Sequence, residues 1–201
     1  MLRRLNTNLV VMLVSDLRHY FDVPDDSPAS LRKLADQQFA IVRAATACPV
    51  GSAATTAVGC TRRPERRPCA GFVMVFRHTN GEISWNCDGC GDDGVIHGWE
   101  GSPADLSGLD GSYATGDVVA LSISRDVYDA LRDVLVLEDA AELLIASAEG
   151  MADGVLLTGR TGAFEELIDY VVSEANAETN RRRQGQLDEA CAAFEAAMDW
   201  P

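Results

Sequence analysis

Cys87-Asp88-Gly89-Cys90-Gly91 is the stretch of this chain with the clearest chemistry. Two cysteines separated by two residues and followed by glycine form a tight knuckle in which both thiolates converge on one ion. Glycine's freedom at positive φ lets backbone N–H groups turn toward the sulfurs. Immediately upstream, Phe72 to Phe76 reads as a strand, Asn80-Gly81 as a two-residue type I′ turn, and Ile83 and Trp85 alternate on a return strand. Cys69 stands just before the first strand and Cys87 just after the second, so the hairpin returns Cys69 to the side of the knuckle. Cys60 precedes Cys69 with eight residues between them. The rival chemistry for C-x-x-C is a thiol-redox pair, which needs a helix N-terminus to lower the first thiol's pKa. Gly91-Asp92-Asp93-Gly94 follows here and cannot start a good helix.

Four thiolates at one end of a hairpin resemble a four-cysteine zinc ribbon, over about residues 60–99. The resemblance implies a structural zinc held by Cys60, Cys69, Cys87 and Cys90, and a second knuckle on the 60–69 side. It also implies a third strand after Cys90, for which Val95-Ile96-His97 is the candidate. Four cysteines close the tetrahedron and leave no water site, which disfavours a catalytic metal. In such ribbons the first knuckle is also C-x-x-C, whereas eight residues intervene here. Cys48 or His97 therefore stands as an alternative to Cys60 as the fourth ligand. Cys48 and Cys191 otherwise read as a helix-end and a core thiol.

Between Cys60 and Cys69 runs Arg62-Arg63-Pro64-Glu65-Arg66-Arg67-Pro68. Its two prolines forbid a helix and favour an extended, polyproline-like segment. If both flanking cysteines bind the metal, the loop is pinned at its ends and displays four guanidinium groups together. Such a cluster suits an acidic protein surface or a nucleic-acid backbone. An internal destination competes with both. Asp88 to Asp129 holds nine acids against one arginine, Arg125, so the loop can neutralise its own neighbourhood. Arg181-Arg182-Arg183 reads as a solvated helix start or an ion-pair site.

These residues need elements to position them, and the pattern is that of an α+β protein. Residues 1–47 read as helical. A first amphipathic helix begins near Thr7 or Asn8 and carries Leu9, Leu13, Leu17 and Tyr20 or Phe21 on one stripe. A second starts at Ser27-Pro28 and continues through Leu31, Leu34, Ala35, Phe39, Val42 and Ala45. Residues 48–115 form the Cys- and Gly-rich ribbon region, and residues 116–201 a C-terminal α/β unit. Within that unit a shift of 36 residues superposes Asp117 on Asp153, Leu121 on Leu157, Tyr128 on Phe164 and Leu131 on Leu167. Each copy reads strand-helix-helix, which raises a duplication with a cleft between the copies.

Composition narrows the function further. The net charge of -14 opposes broad coating of DNA, because so acidic a chain repels phosphate at long range. Lys33 is the one lysine, so Schiff-base chemistry has a single candidate. No phosphate-binding P-loop, dinucleotide glycine fingerprint, HExxH or nucleophile elbow occurs. Thr158-Gly159-Arg160-Thr161-Gly162 reads as a turn rather than an anion site. The apolar run from Leu9 to Val14 is shorter than the roughly 7–15 residues of a secretory segment or the roughly 20 of a membrane span. A cytoplasmic protein with reduced or metal-bound cysteines is expected, with no membrane partner. The favoured function is a non-enzymatic zinc-binding regulatory or adaptor protein, its Arg62, Arg63, Arg66 and Arg67 loop facing an acidic protein or nucleic acid. The alternative is an enzyme with a site between ribbon and C-terminal unit, using His97 and nearby carboxylates.

Overall fold

Two sheets and five helices build the α+β fold described for residues 12–109, 114–134 and 137–198 of a computed structural model. The first sheet has the order β1-β5-β4-β3-β2. Its strands are β1 (Leu13–Asp16), β2 (Ala53–Gly59), β3 (Phe72–Arg77), β4 (Ile83–Cys87) and β5 (Asp93–His97). Strands β2 to β5 run antiparallel to their neighbours, and β1 adds to β5 in parallel. Alternation along the hairpin buries Val73, Val75, Ile83 and Trp85 on one face. Helix α1 (Ala29–Thr46) covers that face with Ile41, Val42 and Ala45, and Leu17 and Trp99 complete the core.

Two local expectations give way here. The stretch around Leu13 and Leu17 is not a helix: Leu13–Asp16 is a strand paired with Gly94 to His97, and Leu17–Tyr20 a 3-10 turn. Asp16 caps that turn by accepting from the backbone N–H and the guanidinium of Arg18. The spacing of Leu13 and Leu17 serves a strand followed by a tight turn as well as it serves a helix. Leu9, Thr7 and Asn8 lie outside the described residues. The second expected helix is present as α1, with Pro28 at the capping position and its carbonyl accepting from Leu31 and Arg32.

The hairpin also closes differently. Arg77 faces Ile83, His78 N–H donates to the Glu82 carbonyl at 2.8 Å, and Gly81 alone takes positive φ, at 84°. That is a three-residue loop ending in a left-handed glycine, not a two-residue type I′ turn, which needs two positive φ values.

The second unit reads strand-helix-helix twice, as the sequence suggests. β6 (Val118–Ile123), α2 (Arg125–Arg132) and α3 (Asp139–Ala146) come first. After the short β7 (Glu149–Met151) follow β8 (Gly154–Arg160), α4 (Thr161–Ala177) and α5 (Arg181–Ala197). The sheet order is β6-β8-β7, all antiparallel, with Leu121 directly opposite Leu157. β6 and β8 pair along their whole length, so no cleft separates the two halves. Val155, Leu157, Phe164, Leu167, Val171, Leu187 and Phe194 form the core, and Phe164 meets Phe194 edge-on at 5.8 Å. The Arg181–Arg183 run is spent on ion pairs: Arg182 with Asp126, and Arg183 with Glu174 and Glu178.

The two cores meet at β2 and β3. Ala57 N–H donates to the Ala148 carbonyl at 2.9 Å, and both Ala57 and Phe72 belong to the second core. Among the described residues no helix is long and apolar enough to cross a membrane.

Candidate metal centre

Antiparallel pairing decides where the cysteines meet. The β2–β3 connection and the β4–β5 connection leave the sheet at the same end and lie side by side. Cys60 follows β2, Cys69 precedes β3, Cys87 ends β4, and Cys90 sits in the turn before β5. The four sulfurs all lie within 4.8 Å of one another. Cys60 and Cys90 are 3.7 Å apart, and so are Cys69 and Cys87. Sulfurs on a tetrahedron around a metal bonded at about 2.3 Å are spaced about 3.8 Å apart. The separations therefore match a tetrahedral S4 site and far exceed the roughly 2.05 Å of a disulfide.

The backbone around the sulfurs is arranged to the same end. Arg62 N–H points at Cys60 Sγ (3.4 Å), Gly71 N–H at Cys69 Sγ (3.4 Å) and Gly89 N–H at Cys87 Sγ (3.3 Å). Each donor lies two residues after its cysteine, the knuckle geometry that disperses thiolate charge. Burial pushes the Cys60 and Cys87 thiols up, while the Gly71 N–H draws Cys69 down. Four sulfurs so close are jointly ionised only with a cation among them. Tetrahedral S4 sites take zinc or iron.

No protein-family model, curated protein or solved structure matches this chain. Geometry alone carries the assignment. Cys60 is the fourth member of the cluster, and neither alternative is near it. Cys48 lies two residues past α1, where its carbonyl accepts from Arg77 at the opposite, hairpin-turn end of the sheet. His97 closes β5 at that same end, 3.8 Å from Glu82. It also lies three strands from the β2 edge that meets the second unit, about 14 Å at 4.8 Å per strand. It therefore serves neither as a ligand nor in a site between the two units. The redox alternative fares no better, because Cys87 ends a strand instead of opening a helix.

Four further residues support the cluster. Asp88 Oδ1 accepts from Phe72 N–H at 2.8 Å, tying the knuckle to the start of β3. Gly71 and Gly89 pack backbone to backbone, and a Cβ at Gly71 would stand 2.6 Å from Gly89 N and 2.8 Å from Cys87 Sγ. Arg125, from α2, donates to the Ala70 carbonyl at 3.2 Å and lies 3.9 Å over the Phe72 ring. The Asp and Gly of the knuckle were visible in C-D-G-C, but nothing local marks Arg125.

The arginine loop is exposed throughout but not extended. Arg66 N–H returns to the Arg63 carbonyl and Arg67 N–H to the Pro64 carbonyl, each at 3.0 Å. Glu65 (φ 52°) and Arg66 (φ 67°) both adopt the left-handed region. The result is two overlapping turns, with Pro64 opening the first as position i+1. Cys69 N–H closes the loop onto the Arg62 carbonyl at 2.9 Å. Arg62 pairs with Asp92 at 2.7 Å, so one guanidinium is spent on the acidic neighbour. Arg63, Arg66 and Arg67 form no ion pair among the described residues. At Thr158–Gly162 the strand runs straight into α4, and the N–H groups of Thr161 and Gly162 already bond Asp117 and Thr115. That leaves no anion site there.

Proposed function

We propose that Cys60, Cys69, Cys87 and Cys90 hold one structural zinc ion, and that the protein is a non-enzymatic regulatory or adaptor module. Its working surface is the arginine turn mounted between the first two ligands. The observation that supports this most strongly is the four-sulfur cluster, with its two 3.7 Å contacts and its N–H donors. A closed S4 shell offers no open coordination position for substrate or water. Its contribution is to folding, of the order of 10–16 kcal/mol of apparent binding energy in small zinc modules at neutral pH.

Three free guanidinium groups on a turn pinned at both ends favour a ligand rich in carboxylate or phosphate. The net charge of -14 weakens long-range attraction to nucleic acid more than to an acidic protein surface, whose charge density is lower. The protein partner is the reading we favour.

The test has two arms. Elemental analysis of the purified chain should give one zinc per molecule, lost in Cys87→Ser, and a chelator should lower the melting temperature. A metal-free wild type with an unchanged melt refutes the zinc centre. In the second arm, neutralising Arg63, Arg66 and Arg67 together should abolish capture of an acidic peptide while zinc content stays at one. Capture that survives the triple change removes the turn from the contact.

A further inference from the structure

We infer that β6 is a dimerisation edge, where two copies of this chain join their three-stranded sheets into one of six strands. Thr161 N–H donates to the Asp117 carbonyl, and β6 pairs with β8 in the register Val119↔Gly159, Leu121↔Leu157 and Ile123↔Val155. Bonds between antiparallel strands fall on every second pair, so those odd-numbered pairs share the hydrogen bonds. The N–H and C=O groups of Val118, Ala120 and Ser122 therefore point away from β8. Among the described residues, no further strand pairs with β6 and no other backbone bond engages these groups.

Natural edges are normally blunted by charge, proline or a bulge. β6 has none of these. Its six residues, VVALSI, carry no charge and no proline, its register is unbroken, and Val118 is 67% exposed. The stretch adds no charge of its own to the repulsion between two copies of a chain of net charge -14.

A second copy is the occupant that fits this edge. An antiparallel strand meets itself under a two-fold axis, which closes the assembly at two chains. One register uses all three open residues of both copies: Ala120 faces Ala120 of the second copy, and Val118 faces Ser122, twice. The same register sets Val119 against Leu121 of the second copy in the closer, non-hydrogen-bonded positions. Both are half-buried apolar residues on the helix-covered face, where they already pack against the core. A six-residue strand pair buries less than the roughly 1,200–2,000 Å² of a standard stable interface, so the dimer is a reversible one.

Sedimentation equilibrium of the full zinc-loaded chain, across a wide concentration range at moderate salt, tests this. A concentration-dependent monomer–dimer equilibrium is expected for the wild type. Ala120→Pro should be monomeric throughout with its melting temperature retained, because the N–H it removes makes no bond within the chain. Ala120→Glu gives the same readout without touching the backbone: it sets two carboxylates face to face across the axis and should weaken the dimer at least tenfold. A wild type that stays monomeric overturns the inference. So does a dimer that survives both substitutions, or an edge that takes up an added peptide strand but never a second copy.

Discussion

Gly71→Ala isolates the packing of the metal knuckle from its ligands. A Cβ at position 71 would stand 2.5 Å from Asp88 Oδ1, 2.6 Å from Gly89 N and 2.8 Å from Cys87 Sγ. Comfortable separations are about 3.5 Å, so the Cys87–Cys90 turn has to retreat by roughly 0.7–1 Å. Rotation of the Asp88 side chain relieves only one of the three contacts, since the other two atoms belong to backbone and to a ligand. The retreat draws Gly89 N–H off the Cys87 sulfur and Asp88 off Phe72 N–H, contacts of 3.3 and 2.8 Å. Overpacking of this kind costs about 1–3 kcal/mol. At 1.4 kcal/mol per decade, zinc affinity should fall about 5- to 150-fold. Competition with a chromophoric chelator measures this directly. Gly59→Ala is the control: it adjoins Cys60, its φ is ordinary, and a Cβ there meets nothing within 4 Å. Wild-type zinc affinity in Gly71→Ala, or an equal loss in Gly59→Ala, would refute the reasoning.

Other consequences are equally open to measurement. Cys60→Ser should lose the metal while Cys48→Ser keeps it, by elemental analysis, because only the former sulfur belongs to the cluster. Asp88→Ala should cost about 1–2 kcal/mol in chemical denaturation and Asp88→Asn much less, since asparagine keeps an acceptor for Phe72 N–H. Glu65→Gly should stabilise by about 0.5–1 kcal/mol, as relief of a left-handed φ exceeds glycine's entropic cost; a destabilised variant would contradict the observed turn. The Asp16 carboxyl, drawn down to about 2 by its hydrogen bond from Arg18, should titrate there by NMR and return toward the ordinary carboxylate range in Arg18→Gln.

What was legible in the sequence was local chemistry with a short reach. The C-x-x-C-G knuckle, the alternation of Phe72 to Trp85 and the strand at Val95 are stated by neighbours, and the fold keeps them. β2 was not legible, because Ala53-Ala54-Thr55-Thr56 has little apolar alternation; its pairing with β3 gives it form, and it places Cys60. β1 is four residues long and owes its conformation to β5, a partner about 80 residues away. The left-handed Glu65 and Arg66 are invisible in principle, since nothing in a Pro-Glu-Arg sequence demands positive φ. His97 misled through proximity in sequence: seven residues after Cys90, it is carried off by β5, whose four steps of about 3.3 Å leave it some 13 Å away.

The exposed turn between Cys60 and Cys69 makes one stretch of main chain dispensable to the folded molecule. Trypsin cuts after arginine unless proline follows, so Arg62 and Arg66 offer cleavable bonds while Arg63 and Arg67, each followed by proline, do not. A cut after Arg66 severs the polypeptide, yet the fragments stay clasped. One carries Cys60 and β2; the other carries Cys69, Cys87, Cys90 and β3. The ion and the β2–β3 ladder together act as a rivet in place of the lost peptide bond. Nicked protein should migrate as a single species in native gels and fall into two bands only when denatured, with chelation loosening the joint first.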